Sequence, residues 1–153
     1  MRSRVVVLVG LPGSGKSTYM ERLGAVALSS DELRRLLADD ASSQAVNREV
    51  FALLRWLARR RLALGRKVTY IDATNLTPAE RRPYVHLAQV HGGQAEAVFF
   101  DVPIEVCRER NRARARVVPD EAMERLAARL VPPSKEEGFA RVTVISAGSG
   151  ECR

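Results

Sequence analysis

An α/β fold built on a five-stranded parallel sheet with helices on both faces is the class this sequence predicts. Three observations predict it. Short apolar runs alternate with amphipathic stretches along all 153 residues, the runs are rich in valine, and glycine or proline marks many of the joins. Strands covered on both faces read as continuous apolar runs, which is the pattern here.

The elements follow in order. Val5–Val9 and Ala25–Leu28 are the first two strands, with a helix over Lys16–Leu23 between them. Asp31–Ala38 predicts a second helix. Ala45–Leu64 is the longest, with Val46, Val50, Leu53, Leu54 and Leu57 at helical spacing and Gly65 to stop it. Phe51 and Trp56 on that helix are expected in the core. Arg59-Arg60-Arg61 is expected to be a solvated face whose charges suit a helix C-terminus. Val68–Ile71 is the third strand, and Thr77 caps a helix that opens at Pro78. Ala97–Val102 is the fourth strand, followed by a helix near Pro103 and another over Asp120–Leu130 that Pro132-Pro133 ends. Val142–Ile145 is the fifth strand.

Bulk composition narrows the function classes. Hydrophobic residues are 46%, enough for a core, which argues against a disordered chain. No apolar run approaches the roughly 20 residues that span a bilayer. Val5–Val9 leads straight into a glycine-rich loop, so it reads as a buried strand and not as a signal-peptide core. One domain over residues 1–153, without a membrane and in the cytoplasm, is the expectation. Cys107 and Cys152 stand far apart and are expected to be reduced thiols without chemistry. His86 and His91 lack acidic or cysteine companions and receive no ligand role. The net charge is +7, carried mostly by arginine, since lysine is confined to Lys16, Lys67 and Lys135. Guanidinium groups clamp phosphates bidentately, so the surface is compatible with a polyanionic partner. Genome composition can produce the same bias, and the charge alone decides little.

The strongest motif is Gly10-Leu11-Pro12-Gly13-Ser14-Gly15-Lys16-Ser17, followed by Thr18, which matches G-x-x-x-x-G-K-[ST] between a strand and a helix. Glycines let the backbone curl around phosphates, and a helix start offers unpaired N–H groups to negative charge. Residues 10–18 are therefore expected to bind ATP, with Lys16 on the β- and γ-phosphates and the Ser17 hydroxyl on Mg2+. The N-K-x-D signature of GTPases does not occur, nor does a run of four apolar residues ending in Asp-Glu as in motor ATPases. What remains is a P-loop kinase fold, an ATP-dependent phosphotransferase acting on a hydroxyl.

The acceptor side is read from strand ends. Ser29-Ser30-Asp31-Glu32-Leu33-Arg34 follows the second strand, on the edge that carries the phosphate loop. Asp31 can accept the proton of an attacking hydroxyl, and Arg34, one helical turn on, can hold an anionic acceptor. The competing reading makes Ser30 or Asp31 a helix cap and Arg34 an ordinary surface charge. The third strand ends in Asp72-Ala73-Thr74-Asn75. Asp72 is placed as an outer-sphere magnesium ligand, with Thr74 and Asn75 lining the acceptor cleft; the alternative is an Asx-type turn opening the next helix. Residues 107–116 read as a helix running into an arginine lid, with Arg110 and Arg114 one turn apart to stabilise the transferring phosphoryl group.

These segments, with Asp101-Val-Pro103 and Pro133-x-x-x-Glu137-Gly138-Phe139, occur in an order that resembles the kinase module of polynucleotide kinases. Both the phage enzymes and the bacterial RNA-repair kinase–phosphatases share the series, and related small-molecule P-loop kinases share parts of it. The resemblance implies that Asp31 activates the 5′-hydroxyl of a DNA or RNA strand and that Arg34 contacts the neighbouring phosphate. It also implies that Lys16, Arg110 and Arg114 stabilise the transferring group. In the phage pattern the strand-end carboxylate lies one position later, where this chain has Ala73, so the bacterial pattern fits better. Two rivals stay open: a kinase of a small metabolite, sugar or antibiotic, and a non-catalytic nucleotide-dependent interaction module.

Overall fold

The first strand, β1 (Arg4–Val9), is almost entirely sequestered from solvent, and it sits at the centre of the sheet. The computed structural model describes residues 2–114 and 117–147; Cys152 and the Ala115-Arg116 part of the expected lid lie outside the described residues. Five strands pair in the order β2-β3-β1-β4-β5, all parallel, with β2 Ala27–Ser29, β3 Val68–Asp72, β4 Gln94–Asp101 and β5 Arg141–Ser146. Among the described residues six α-helices flank the sheet: α1 Lys16–Leu23, α2 Ser30–Ala38, α3 Asn47–Ala63, α4 Pro78–Val90, α5 Ile104–Arg112 and α6 Asp120–Arg129.

The pleat of β1 sends successive side chains to opposite faces. Val5, Val7 and Val9 meet Leu33 of α2, Val50 and Leu54 of α3, and Tyr84 of α4. Val6 and Leu8 meet Met20 of α1, Cys107 of α5 and Met123 of α6. Two apolar layers therefore close on one strand, which is why its sequence does not alternate.

The expected elements are all present, with shifted ends. β2 starts at Ala27 and closes the sheet edge. β4 begins three residues earlier than its apolar run suggests, and Val102 has left the ladder, its N–H bonding the Phe100 carbonyl at 3.0 Å. Gly65 lies just past α3 with a φ of 74°, the left-handed turn that lets a helix stop. One core assignment fails. Val50, Leu54, Ala58 and Leu62 fill the inner face of α3, so Trp56 falls on the outer face and is 49% exposed. Phe51 packs against the core, partly buried, as expected.

A polar knot fixes the loop after β3. Arg81 of α4 is fully buried, and its guanidinium grips Glu137 through Nε at 2.8 Å and an Nη at 2.9 Å. Its other terminal nitrogen donates to the Asn75 and Val131 carbonyls at 2.9 and 3.0 Å. Glu137 also accepts from the Ser134 N–H at 3.0 Å. Every arm of the arginine has a partner, so the buried charge is compensated. Arg81→Ala would leave the carboxylate of Glu137 without its counter-charge and should cost about 3–5 kcal/mol in urea denaturation. The paired change Arg81→Met with Glu137→Leu should cost less than the single one. A single-variant loss below about 1 kcal/mol would show that the knot does not hold the loop.

Candidate active site

The loop between β1 and α1 curls tightly because two of its glycines occupy conformations closed to other residues. Gly13 and Gly15 have φ of 82° and 108°. A Cβ on Gly13 would stand 2.5 Å from the Cys107 carbonyl oxygen, so the loop lies directly against the backbone of α5. The loop is also stitched to the end of β3: the Gly10 N–H donates to the Thr74 carbonyl at 3.0 Å, and the Asn75 side-chain amide donates to Leu8 at 2.7 Å.

Lys16 opens α1 and folds back over the loop, its ammonium donating to the Gly10 and Leu11 carbonyls at 2.8 and 2.9 Å. Desolvation lowers its pKa to about 8; the nearby Arg114 pushes in the same direction, while Asp72 and Asp31 act against it. Helix α1 begins at the same residue with no side-chain cap, so its free N–H groups add positive potential there. Ser14 contributes a buried hydroxyl without a partner among the described residues. Asp72 and Asp31 are the acidic groups near Lys16, and the loop and helix start still present a positive site suited to a polyphosphate.

A cleft of about 850 Å3 opens in front of this loop. It is lined by residues 12–18 of the loop, by Ser29, Ser30 and Asp31, by Asp72 and Thr74, and by Arg110 and Arg114. The helix cap of α2 is Ser29, whose hydroxyl accepts from the Glu32 N–H at 3.3 Å. Asp31 is therefore not needed as a cap. Its carboxylate pairs with Arg34 at 2.8 Å and keeps 42% of its side chain exposed. Asp72 ends β3, and Thr77 caps α4 five residues later, which removes the need for Asp72 to open that helix. Burial raises the Asp72 pKa and the charge of Asp31 adds to the rise; Lys16 and Arg114 hold it down.

Two expected acceptor residues lie behind the cleft wall. Asn75 is buried with φ of 49°, and its amide is committed to the Leu8 and Ala73 carbonyls, so it shapes the loop and does not line the cleft. Arg34 is also buried: Nε and one terminal nitrogen donate to Asn47 Oδ1 at 3.2 and 2.8 Å, and the other holds Asp31. Sequence reading missed Asn47, which stands 13 residues from Arg34 with no local pattern to connect them. It gave no role to Asn111, which it met only within the series Arg110-Asn111-x-x-Arg114. That side chain is fully buried and brackets the lid segment, donating to the Val118 carbonyl at 2.6 Å and accepting its N–H at 3.1 Å. Cys107 is a buried free thiol whose pKa burial pushes up, in keeping with no chemistry.

The sequence model of a family described as an AAA domain (AAA_33) matches residues 5–133, most of the length of the chain. This chain belongs to that family. Among solved structures, a candidate kinase from Chloroflexus aurantiacus superposes with a TM-score of 0.73 at 15% identity, covering 95% of this chain and 89% of the other. Chaetomium thermophilum Kti12 in complex with ADP-AlF3 gives 0.71 at 21% identity, covering 94% and 89%. A chain of the Pnkp1/Rnl/Hen1 complex gives 0.62 at 23% identity, covering 77% of this chain and 41% of that one. The fold is that of the P-loop kinases, a five-stranded parallel sheet between helices. No helix among the described residues is long and apolar enough to cross a membrane.

The family implies a nucleotide, and the residues fit one. The described residues contain no group of three His, Cys, Asp or Glu able to hold a metal ion. Lys16 must be charged to meet phosphate. ATP affinity, measured by calorimetry, should hence be full below pH 8. As pH rises above about 8 it should fall by up to tenfold per unit, because the free site loses the proton that the bound site keeps. In Lys16→Met that dependence should vanish along with most of the affinity. A wild-type profile that stays flat through pH 9.5 would contradict the desolvated lysine.

Proposed function

We propose that this protein is an ATP-dependent phosphotransferase that moves the γ-phosphoryl group to the 5′-hydroxyl end of a polynucleotide. One observation carries the reading: a partly exposed carboxylate, Asp31, faces the same cleft as the phosphate loop and is held there by a buried arginine. In this mechanism Asp31 takes the proton as the acceptor oxygen attacks. Lys16, Arg110 and Arg114 stabilise charge on the transferring group. Ser17 would hold a magnesium ion with Asp72 in its outer sphere, and the ion would supply charge stabilisation to the phosphates.

The polynucleotide acceptor is supported by the ordered motifs from Ser29 to Phe139, by the arginine-rich composition and by the structural likeness to a chain of the Pnkp1/Rnl/Hen1 complex. Kti12, with ADP-AlF3 bound, supports the nucleotide side of the reading. Arg34 keeps one N–H on each terminal nitrogen beyond its contacts with Asp31 and Asn47, and these are the donors for a phosphate next to the attacked hydroxyl. A second reading, a small-metabolite kinase, draws on the burial of the same residue: Arg34 then holds Asp31 and does not touch the acceptor.

Two variants test the scheme. Asp31→Asn removes the base but keeps the size of the side chain, and turnover should fall on the order of 10² or more with nucleotide affinity little changed. Near-normal turnover would move the base elsewhere, first to Asp72. Arg34→Ala should be compared with wild type on a nucleoside 3′-monophosphate and on the phosphate-free nucleoside. If Arg34 reads the phosphate as well as holding Asp31, the loss on the first should exceed the loss on the second by about 10- to 100-fold. An equal loss on both would make Arg34 a holder of Asp31 alone and favour the small-metabolite reading.

A further inference from the structure

The outer face of α3 contains a feature that the mechanism does not use. Its exposed positions are Arg48, Glu49, Ala52, Arg55, Trp56, Arg59, Arg60 and Ala63, and the four largest after Glu49 fall at spacings of three and four residues on one stripe. The Arg59-Arg60-Arg61 run is divided in its duties. Arg61 is tied to β3, donating to Thr69 Oγ1 at 3.0 Å and to the Val68 carbonyl at 2.8 Å. Arg55, Arg59 and Arg60 are exposed and form no ion pair among the described residues. Between them lies an indole that is 49% exposed.

We propose that this stripe is a docking surface for single-stranded nucleic acid, with Trp56 as a base-stacking platform and Arg55, Arg59 and Arg60 as phosphate contacts. The inference takes its occupant from the polynucleotide reading above. An exposed aromatic flanked by unpaired cations is the combination that binds a strand without regard to sequence: the ring takes a base face, and the guanidinium groups take the backbone. Position supports the assignment. Asn47, the first residue of α3, bonds Arg34, which in turn bonds Asp31. Helix α3 thus starts beside the proposed acceptor site, and Trp56 lies nine residues further along, roughly 13 Å down the helix axis and on the face turned away from Asn47. Glu49 is the acidic residue at the near end, and no other acidic residue occurs on α3.

Trp56 is the protein's single tryptophan, so its emission reports directly on the stripe. The full chain is titrated with a 5′-hydroxyl oligonucleotide of about twelve nucleotides, with a nucleoside 3′-monophosphate and with polyglutamate of matched charge. The oligonucleotide should quench Trp56, with an affinity that falls with salt at a log–log slope of about −2, as for three phosphate contacts on a single strand. The monophosphate should leave the emission unchanged. Replacing Arg55, Arg59 and Arg60 together by alanine should weaken oligonucleotide binding about tenfold or more and flatten that slope. Transfer to the monophosphate should stay at the wild-type rate, which also shows that the variant is folded. Trp56→Ala should raise KM for the oligonucleotide and not for the monophosphate.

Equal oligonucleotide affinity in the triple variant and wild type would overturn the proposal, and so would equal quenching by polyglutamate, which would indicate an acidic protein segment instead. Quenching by the oligonucleotide with no transfer to any nucleotide would leave the surface standing and remove the polynucleotide kinase reading. Transfer to the monophosphate with an unchanged oligonucleotide KM in the triple variant would do the reverse.

Discussion

An ammonium group desolvated at the head of a helix is the constraint around which this protein is arranged. Lys16 cannot be satisfied by the carbonyls of Gly10 and Leu11 alone, because those dipoles do not neutralise its charge or the positive end of α1. Keeping it there requires a loop that cannot relax. The buried β1 strand supplies one anchor, the end of β3 supplies a second through Thr74 and Asn75, and α5 supplies a third where Gly13 meets the Cys107 carbonyl. With the loop pinned on three sides, the site is completed by an incoming anion and not by its own collapse. Preorganisation of this kind is what makes fixed charges effective on a transferring phosphoryl group.

The same logic extends outward from the cleft. Asp31 is free of capping duty because Ser29 performs it, and its direction is set by Arg34, which Asn47 fixes in turn. Asn47 is the first residue of α3, so the helix that carries the exposed arginine stripe is mechanically joined to the proposed base. Asn111 plays a matching part on the opposite wall, bracketing the loop that positions Arg114 beyond the end of α5. The Arg81–Glu137 knot closes the back of the site by holding the loop that carries Asn75.

Much of this was legible in the sequence, for reasons that differ from residue to residue. The order of strands and helices and the phosphate loop are encoded locally, in apolar runs, caps and glycines, and the structure reproduces them within a few residues. Asp31 and Asp72 reach the cleft because parallel strands deliver their C-terminal ends to one edge, a rule that needs no coordinates. Asn75 was misread because nothing in its neighbourhood shows that its amide turns inward to Leu8. Asn47 was missed and Asn111 given no role because their partners are remote or purely backbone. Trp56 was placed in the core on hydrophobicity; only the geometry of α3, with Val50, Leu54, Ala58 and Leu62 already filling the inner face, shows that it points outward.

The most direct measurement is label transfer from γ-32P ATP with magnesium to two otherwise identical oligonucleotides, one ending in a 5′-hydroxyl and one in a 5′-phosphate. The account predicts that label enters the hydroxyl strand and is absent from the phosphorylated one, since only the first offers Asp31 a proton to remove. Release of inorganic phosphate alone, or labelling of a sugar in preference to either strand, would contradict it.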